Sequence, residues 1–510
     1  MGWLLFGLVF VVHAPAITGE FLRWDDRQNI LLNPWLQNMS WESIWTRPYY
    51  GLFIPVPYTV WAWLYHFKSE PWPFHLVNVV LHAGNAWLVY RLGQKVLRRS
   101  VWVWWAALAF GCHPLMVESV AWISAGRDLL AAHFTLWGLC FLVEKDSHPF
   151  RPWMSLGFFS LALLSKPTVL LVPIGVLGFW WRNCTKQQRQ ILFAWAGASV
   201  AAAVGTLYIQ GPLQEVRVDP PLLAARFWVA LDALAFYFQK VIAPWPLAAD
   251  YGRTPEFVLN QASLLMALFT LAVAFILTLK TWRYFAFSIL LLLPVLGLIP
   301  FQAQVDSTVA DRYFYLAWIP LAASLFSQLG DRSKWLAPLL VGWAALSFNR
   351  SLDWRTNAGF FSDLVEKNPQ SYLAQNALGT LALAENDRTR AEDHLLKARK
   401  IRPMDAVAAA NLAQLRWSSG QTADLLAEFH PLLKDPVFLE KNKFEDRGLS
   451  ALYRLVARGL WARHRWEEAN DYYCSYFKID PEDSEGQAEI LRFLKEKAEA
   501  GLKINRCDSV

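Results

Sequence analysis

The sequence predicts an all-α protein. A polytopic helical membrane domain covers residues 1–349, a soluble helical repeat domain covers 350–485, and a C-terminal helix and tail cover 486–510. Three observations carry this prediction. The 510 residues are 55% hydrophobic and only 18% charged, where soluble domains carry about a quarter. Apolar runs of spanning length recur through the first two-thirds of the chain. The last third turns rich in Asp, Glu, Lys and Arg and repeats itself about every 34 residues.

The apolar runs fall at 3–18, 73–90, 101–117, 128–143, 153–165, 167–181, 191–209, 261–279, 284–300, 313–328 and 335–348, eleven in all. The first lacks a basic flank and a clean cleavage site, so it reads as a retained span and not a removed signal. A twelfth stretch, 226–243, carries Arg226, Asp232 and Lys240. Charge within a span is costly, so this stretch is expected to be re-entrant, interfacial or cavity-lining. Basic clusters set orientation. Arg91, Lys95, Arg98 and Arg99 form one; Arg182, Lys186 and Arg189 form another; Lys280 with Arg283 and Arg332 with Lys334 complete the set. Eleven spans put all four on the cytoplasmic side. The loop 19–72 and the repeats then lie outside. That loop holds the Trp/Tyr-rich stretch IPVPYTVWAWLYHF, which suits interfacial helices lying on a bilayer.

In the tail, Leu378-Gly379, Ala391, Leu395, Ala398 and Pro403 recur in a weaker copy as Leu412-Ala413 and Phe429. A third copy has Ala457, Leu460, Ala469, Tyr473 and Pro481. These are tetratricopeptide positions, and each helix pair needs neighbours to bury its apolar face. The repeats offer a surface for a protein partner. The net charge of +6 fits basic membrane loops and gives no case for nucleic acid. The five cysteines are scattered without a CxxC, so neither a zinc site nor a disulfide framework is expected.

Polar clusters recur at the predicted outer ends of the spans. Asp25 and Asp26 follow the first run. His113 and Glu118 are followed by Arg127 and Asp128. Lys166 stands between Ser165 and Pro167. Asp250-Tyr251 and then Asp306 with Asp311-Arg312-Tyr313 complete the set. The chemistry is coherent for moving a sugar off a lipid phosphate. Such a transfer needs a carboxylate to take the hydroxyl proton, cations to meet the departing phosphate and an apolar groove for the lipid. Asp25 or Asp26 can be the base. Arg312, Arg127 and Lys166 can meet phosphate, Arg through its fork. The outer carboxylates could hold a divalent cation, but their spacing defines no metal site.

The stretches WDDRQNILLNPWLQNMSWESIW, PFHLVNVVLHAGNAWLVYRL, HPLMVESVAWISAGRDLLAAHF, LLSKPTVLLVP, APWPLAADY and VADRYFYLAWIPL, followed by the repeats, resemble the bacterial relatives of the tetratricopeptide-repeat O-mannosyltransferases. These are membrane glycosyltransferases of the GT-C class. The resemblance implies a polyprenyl-phosphate-linked sugar donor and catalysis on the outer face. It also implies an essential acid after the first span, here Asp25-Asp26. The second-loop motif maps to His113, Glu118, Arg127 and Asp128. Relatives often carry Lys-Glu after the fifth span, where this chain has Lys166-Pro167. The expected acceptor is a Ser or Thr of an exported protein, the alternatives being a glycolipid or polysaccharide, or no catalysis and a scaffold role. Compact loops and the absence of a long tail point to a bacterial inner membrane over an endoplasmic reticulum membrane.

Overall fold

The computed structural model describes residues 1–97, 100–144, 150–210, 223–259, 263–299, 302–443, 446–481 and 483–501. Among the described residues it is helical throughout, without strands. The chain divides into two compact units, Met1–Asp363 and Leu364–Val510. The expected change at 349/350 thus falls later. Asn357 ties its segment to the first unit: its backbone N–H and side-chain amide donate to a Glu20 carboxylate oxygen at 3.0 and 2.8 Å.

In the first unit the long helix Trp72–Val96 packs against Gly2–His13, Trp102–Cys112 and Gly126–Val143. Gly111 lets two of these approach closely: a Cβ there would stand 2.3 Å from a Val9 methyl. Polar groups inside this apolar bundle are joined to one another, as a low-dielectric interior demands. His13 Nε2 and His82 Nε2 both lie 3.0 Å from the Gly111 carbonyl. A carbonyl only accepts, so both nitrogens carry hydrogen. His82 Nδ1 therefore accepts from the Tyr315 hydroxyl at 2.8 Å. That hydroxyl in turn accepts from the Asn85 amide at 3.1 Å.

Two helical stretches, Lys186–Ile209 and Met266–Val295, are long and apolar enough to cross a bilayer. Other expected spans form shorter helices, such as Trp102–Cys112 and Val172–Trp180, or helices carrying more charge, such as Gly126–Val143 with Arg127 and Asp128. The stretch expected to be re-entrant, interfacial or cavity-lining lies in one continuous helix, Leu223–Ile242. Its Asp232 pairs with Arg253 at 2.6 Å, while Arg226 and Lys240 donate to backbone carbonyls. The loop 19–72 contains the helices Pro34–Gln37, Trp41–Thr46 and Pro55–Phe67. They close over Ile30, Leu36, Ile44, Tyr58 and Trp61 and leave Trp41, Trp45, Trp63 and Phe67 exposed.

The second unit stacks helix pairs: Tyr372–Ala384 with Arg388–Ile401, Ala406–Ser418 with Thr422–Leu432, and Asp446–Ala462 with Trp466–Ile479. Side chains of Ser371, Asp387 and Asp405 cap helix N-termini by accepting backbone N–H groups three residues on, satisfying donors that the helix cannot. The repeat positions read from sequence, Leu378, Ala391, Leu395, Leu412, Phe429, Ala457, Leu460 and Tyr473, are all buried. Gly379 is required, since a Cβ would meet the Leu395 side chain at 2.6 Å. The helix Ser484–Glu499 continues the stack, with Phe493 packed on Trp461 and Tyr473. Cys474 is disulfide-bonded, a single pair and not the framework that the scattered cysteines argued against.

Candidate active site

Asp25 and Asp26 lie where the chain leaves the first helical run and enters a π-helical turn, Arg27–Leu31. Such turns are rare and frequent at functional sites. The two carboxylates have different surroundings. Asp26 is fully buried. Its Oδ2 accepts the Leu22 N–H at 3.0 Å; its Oδ1 accepts the Ser124 N–H at 2.9 Å and the Ser124 hydroxyl at 2.6 Å. Burial pushes Asp26 up to about 7, against these donors. It pins the loop to the turn Ile123–Ala125. Asp25 is half-buried. Among the described residues its carboxylate accepts no hydrogen bond and makes no ion pair. Burial raises its pKa, while Arg127 and Arg312 pull it down.

Those two arginines differ as sharply. Arg312 is committed: its Nη1 pairs with Glu118 Oε1, and its backbone N–H donates to Oε2 at 3.2 Å. Its guanidinium lies 5.1 Å from the Trp122 ring centroid and 4.9 Å from that of Tyr313. The adjacent Asp311 takes another partner, Arg350 at 2.8 Å, and accepts the Tyr251 hydroxyl at 2.7 Å. The sequence offered Arg312 to a phosphate; in the structure its side chain is met by Glu118, 194 residues away. Lys166 pairs with Asp128 at 2.5 Å and sits 5.7 Å from the Tyr313 centroid. Burial lowers Lys166 to about 8, and Asp128 opposes the shift. Arg127 has no carboxylate partner among the described residues. It lies 6.0 Å from the Trp122 centroid, and its Nε is buried without a hydrogen bond.

The remaining expected residues stand apart or serve locally. His113 is fully buried between Trp318 and Trp343, at ring distances of 5.0 and 4.3 Å. Its Nδ1 accepts the Leu115 N–H, capping the turn Pro114–Met116. Asp250 accepts the Gly252 N–H at 2.8 Å and holds a turn. The carboxylates of Glu118, Asp128 and Asp311 are each met by a cation and not by one another. Among the described residues no group of His, Cys, Asp and Glu is placed to hold a metal ion.

Two clefts meet at Arg312. One is lined by Asp128, Lys166 and Tyr313 with the apolar Leu291, Val295 and Leu316. The other is walled by Trp24, Trp122, Trp354 and Phe360 beside Glu118. The first sets the charged Asp128, Lys166 and Arg312 beside an apolar wall. Sequence reasoning missed Arg350, the Ser124 anchor and the aromatic wall. Trp24 stands next to Asp25 in sequence, and that adjacency was the available signal; nothing local marks Trp354, Phe360 or Arg350.

No family model matches the chain. It is similar to proteins named protein O-mannosyl-transferases. The Drosophila melanogaster Tmtc2 is 31% identical over 280 residues, 49% of this chain and 26% of the relative. The Mus musculus TMTC2 is 40% identical over 87 residues, 16% of this chain and 10% of the relative. The Caenorhabditis elegans F38B6.6 is 22% identical over 447 residues, 78% of this chain and 62% of the relative. In each case the match spans less than two-thirds of the relative's own length.

Proposed function

We propose that this chain is a membrane glycosyltransferase of the GT-C type. It moves a sugar from a polyprenyl-phosphate donor to a Ser or Thr hydroxyl of an exported protein, on the extracytoplasmic face. The observation that carries this reading is Asp25: a half-buried carboxylate without a partner, acted on by Arg127 and Arg312. A buried ionisable group needs compensation, and one left uncompensated beside cations is placed for proton transfer to or from a ligand. In this reading Asp25 takes the proton of the acceptor hydroxyl. The hydroxyl oxygen attacks the anomeric carbon, the bond from that carbon to the phosphate oxygen breaks, and the phosphate leaves with the electron pair. Arg127, with no carboxylate of its own, meets the new negative charge. Arg312 and Lys166 add to the positive field, and the apolar wall of Leu291, Val295 and Leu316 takes the lipid. Asp26 holds the loop that carries Asp25 and does not react.

Two further observations support this. The similar animal proteins are named protein O-mannosyl-transferases, which favours a protein acceptor and mannose as the sugar. The disulfide-bonded Cys474 favours an oxidising compartment for the repeats, in agreement with the orientation inferred from the basic loops. The repeats then serve to hold an exported protein partner. The bacterial inner membrane is the proposed location, on the strength of the compact loops. The experiment is glycoproteomics of exported proteins from cells with and without the chain. O-linked hexose on Ser or Thr that disappears with the chain is the expected result; an unchanged set of glycopeptides sinks the reading.

A further inference from the structure

The helix Trp72–Val96 supplies no group to the proposed transfer, yet it carries His75, Asn78, His82 and Asn85, each buried at 0 to 2% exposure. Their spacing of three, four and three residues puts them on one face of the helix. An apolar face would pack there without the cost of burying polar groups. What sets this face apart is where its hydrogen bonds go. His75 Nε2 donates at 3.3 Å to the carbonyl of Glu20, in the loop that leads to Asp25. The Asn78 amide donates at 3.1 Å to the carbonyl of Trp122, between Glu118 and Ser124. Gly126, next to Arg127, makes room for Asn78: a Cβ there would stand 2.6 Å from Asn78 Oδ1. His82 joins the Gly111 carbonyl to the Tyr315 hydroxyl.

Asn85 makes the widest connection. Its amide nitrogen donates to the Leu129 carbonyl and to the Tyr315 hydroxyl, each at 3.1 Å. Leu129 directly follows Arg127-Asp128, and Tyr315 stands two residues after Tyr313. The amide has one orientation. His133 Nε2 accepts the Trp137 indole N–H at 3.1 Å, so its Nδ1 carries the hydrogen and donates to Asn85 Oδ1 at 2.8 Å. Every polar atom of the Asn85 side chain is thus engaged, and a fully satisfied buried network specifies a single arrangement.

We propose that this polar face positions the site, and that Asn85 sets the distance between the segment carrying Arg127 and Asp128 and the segment carrying Arg312 and Tyr313; this rests on the donor reading above. Asn85 is not part of the cleft wall, which includes Asp128, Lys166, Arg312 and Tyr315. It is a positioning residue and acts through the two segments that it ties. Lys166 is carried with them, because it is paired with Asp128. The three cations that meet the phosphate in that reading therefore have their spacing fixed by one side chain outside the cleft.

The test is transfer from polyprenyl-phosphate mannose to a Ser/Thr peptide by the full chain in lipid nanodiscs, at saturating donor and per folded molecule. Wild type, Asn85→Leu, Arg127→Gln, the double variant of these two, and Ser155→Ala are compared. Ser155 is the control: its buried hydroxyl donates at 2.9 Å to the carbonyl of Gly138, about three helical turns from Arg127. A misplacement of about 1 Å costs on the order of a hundredfold in rate. Asn85→Leu is expected to slow transfer by about tenfold to a hundredfold, and Ser155→Ala to keep the wild-type rate. Arg127→Gln is expected to slow the wild type and to add little to Asn85→Leu, because effects of residues that act through one another do not add. Asn85→Leu at the wild-type rate, or an Arg127→Gln cost that adds in full to it, overturns the positioning role while the donor reading stands. A wild type that transfers nothing from this lipid removes the donor reading and the role together. Should Asn85→Leu not fold, Tyr315→Phe removes one of the two ties and is judged by the same rates and the same cycle with Arg127→Gln.

Discussion

At the scale of single residues, the structure separates two aspartates that the sequence left equivalent. Both oxygens of Asp26 face N–H or O–H donors. An amide at that position would turn an NH2 toward a donor and leave buried groups unpaired, at a cost of about 1–3 kcal/mol each. Asp26→Asn is therefore expected to lower the thermal midpoint, and its loss of activity should follow its loss of folded protein. Asp25→Asn should melt like the wild type yet lose transfer by about a hundredfold to ten-thousandfold, the usual contribution of a general base. A thermal scan beside a transfer assay distinguishes the two; the assignment is wrong if the effects are exchanged. The pH profile follows from the same groups. Burial raises Asp25 above the ordinary carboxylate range, so its basic form, and with it activity, grows as pH rises through that raised value. Lys166 is lowered to about 8, so its charge is lost as pH climbs past 8. A bell-shaped rate is expected. Lys166→Arg, which keeps its charge, should extend the alkaline limb, and an unshifted limb would remove Lys166 from the phosphate field.

At the scale of elements, the site is assembled by long-range ion pairs at the ends of helices. Glu118 with Arg312 and Asp311 with Arg350 join the segment after Trp102–Cys112, the start of Tyr315–Leu329 and the end of Ala337–Asp353. Breaking one partner of a buried pair strands the other charge and costs about 3–5 kcal/mol. Glu118→Gln should thus show a clear fall in thermal midpoint, read by a melt in detergent. If it melts like the wild type, the pair carries no structural load and Arg312 is free to serve phosphate alone. These pairs also show what the sequence could and could not disclose. Helix character was legible because apolar runs and the tetratricopeptide positions obey local periodicity. The polar clusters were legible because charge at span ends is conspicuous. Partner choice was not. Asp311 and Arg312 are neighbours in the chain but turn to opposite partners, and Glu118 and Arg350 are chosen by packing. The partner of Asp232 in the helix Leu223–Ile242 was not legible for the same reason: Arg253 lies outside the stretch.

At the scale of the molecule, the proposed orientation is read from the basic loops, which are expected in the cytoplasm, and it makes an outer position for residues 25, 312 and 372 a prediction. Single cysteines placed at Asp25, Arg312 and Tyr372 in a background lacking the native thiols should all react with a membrane-impermeant maleimide added outside. Reaction of position 372 from the cytoplasm alone contradicts that orientation. The central claim is chemical: a hydroxyl attacks a sugar on a lipid phosphate, with Asp25 as base. It is tested most directly by single-turnover transfer from radiolabelled polyprenyl-phosphate mannose to a Ser/Thr peptide, by the purified chain in nanodiscs, with wild type and Asp25→Asn side by side. The account predicts one polyprenyl phosphate released for each glycopeptide formed by the wild type. It predicts that Asp25→Asn binds the donor normally and transfers at least about a hundredfold more slowly. An Asp25→Asn variant that transfers at the wild-type rate would contradict it, as would a wild type that takes its sugar from a nucleotide and not from the lipid.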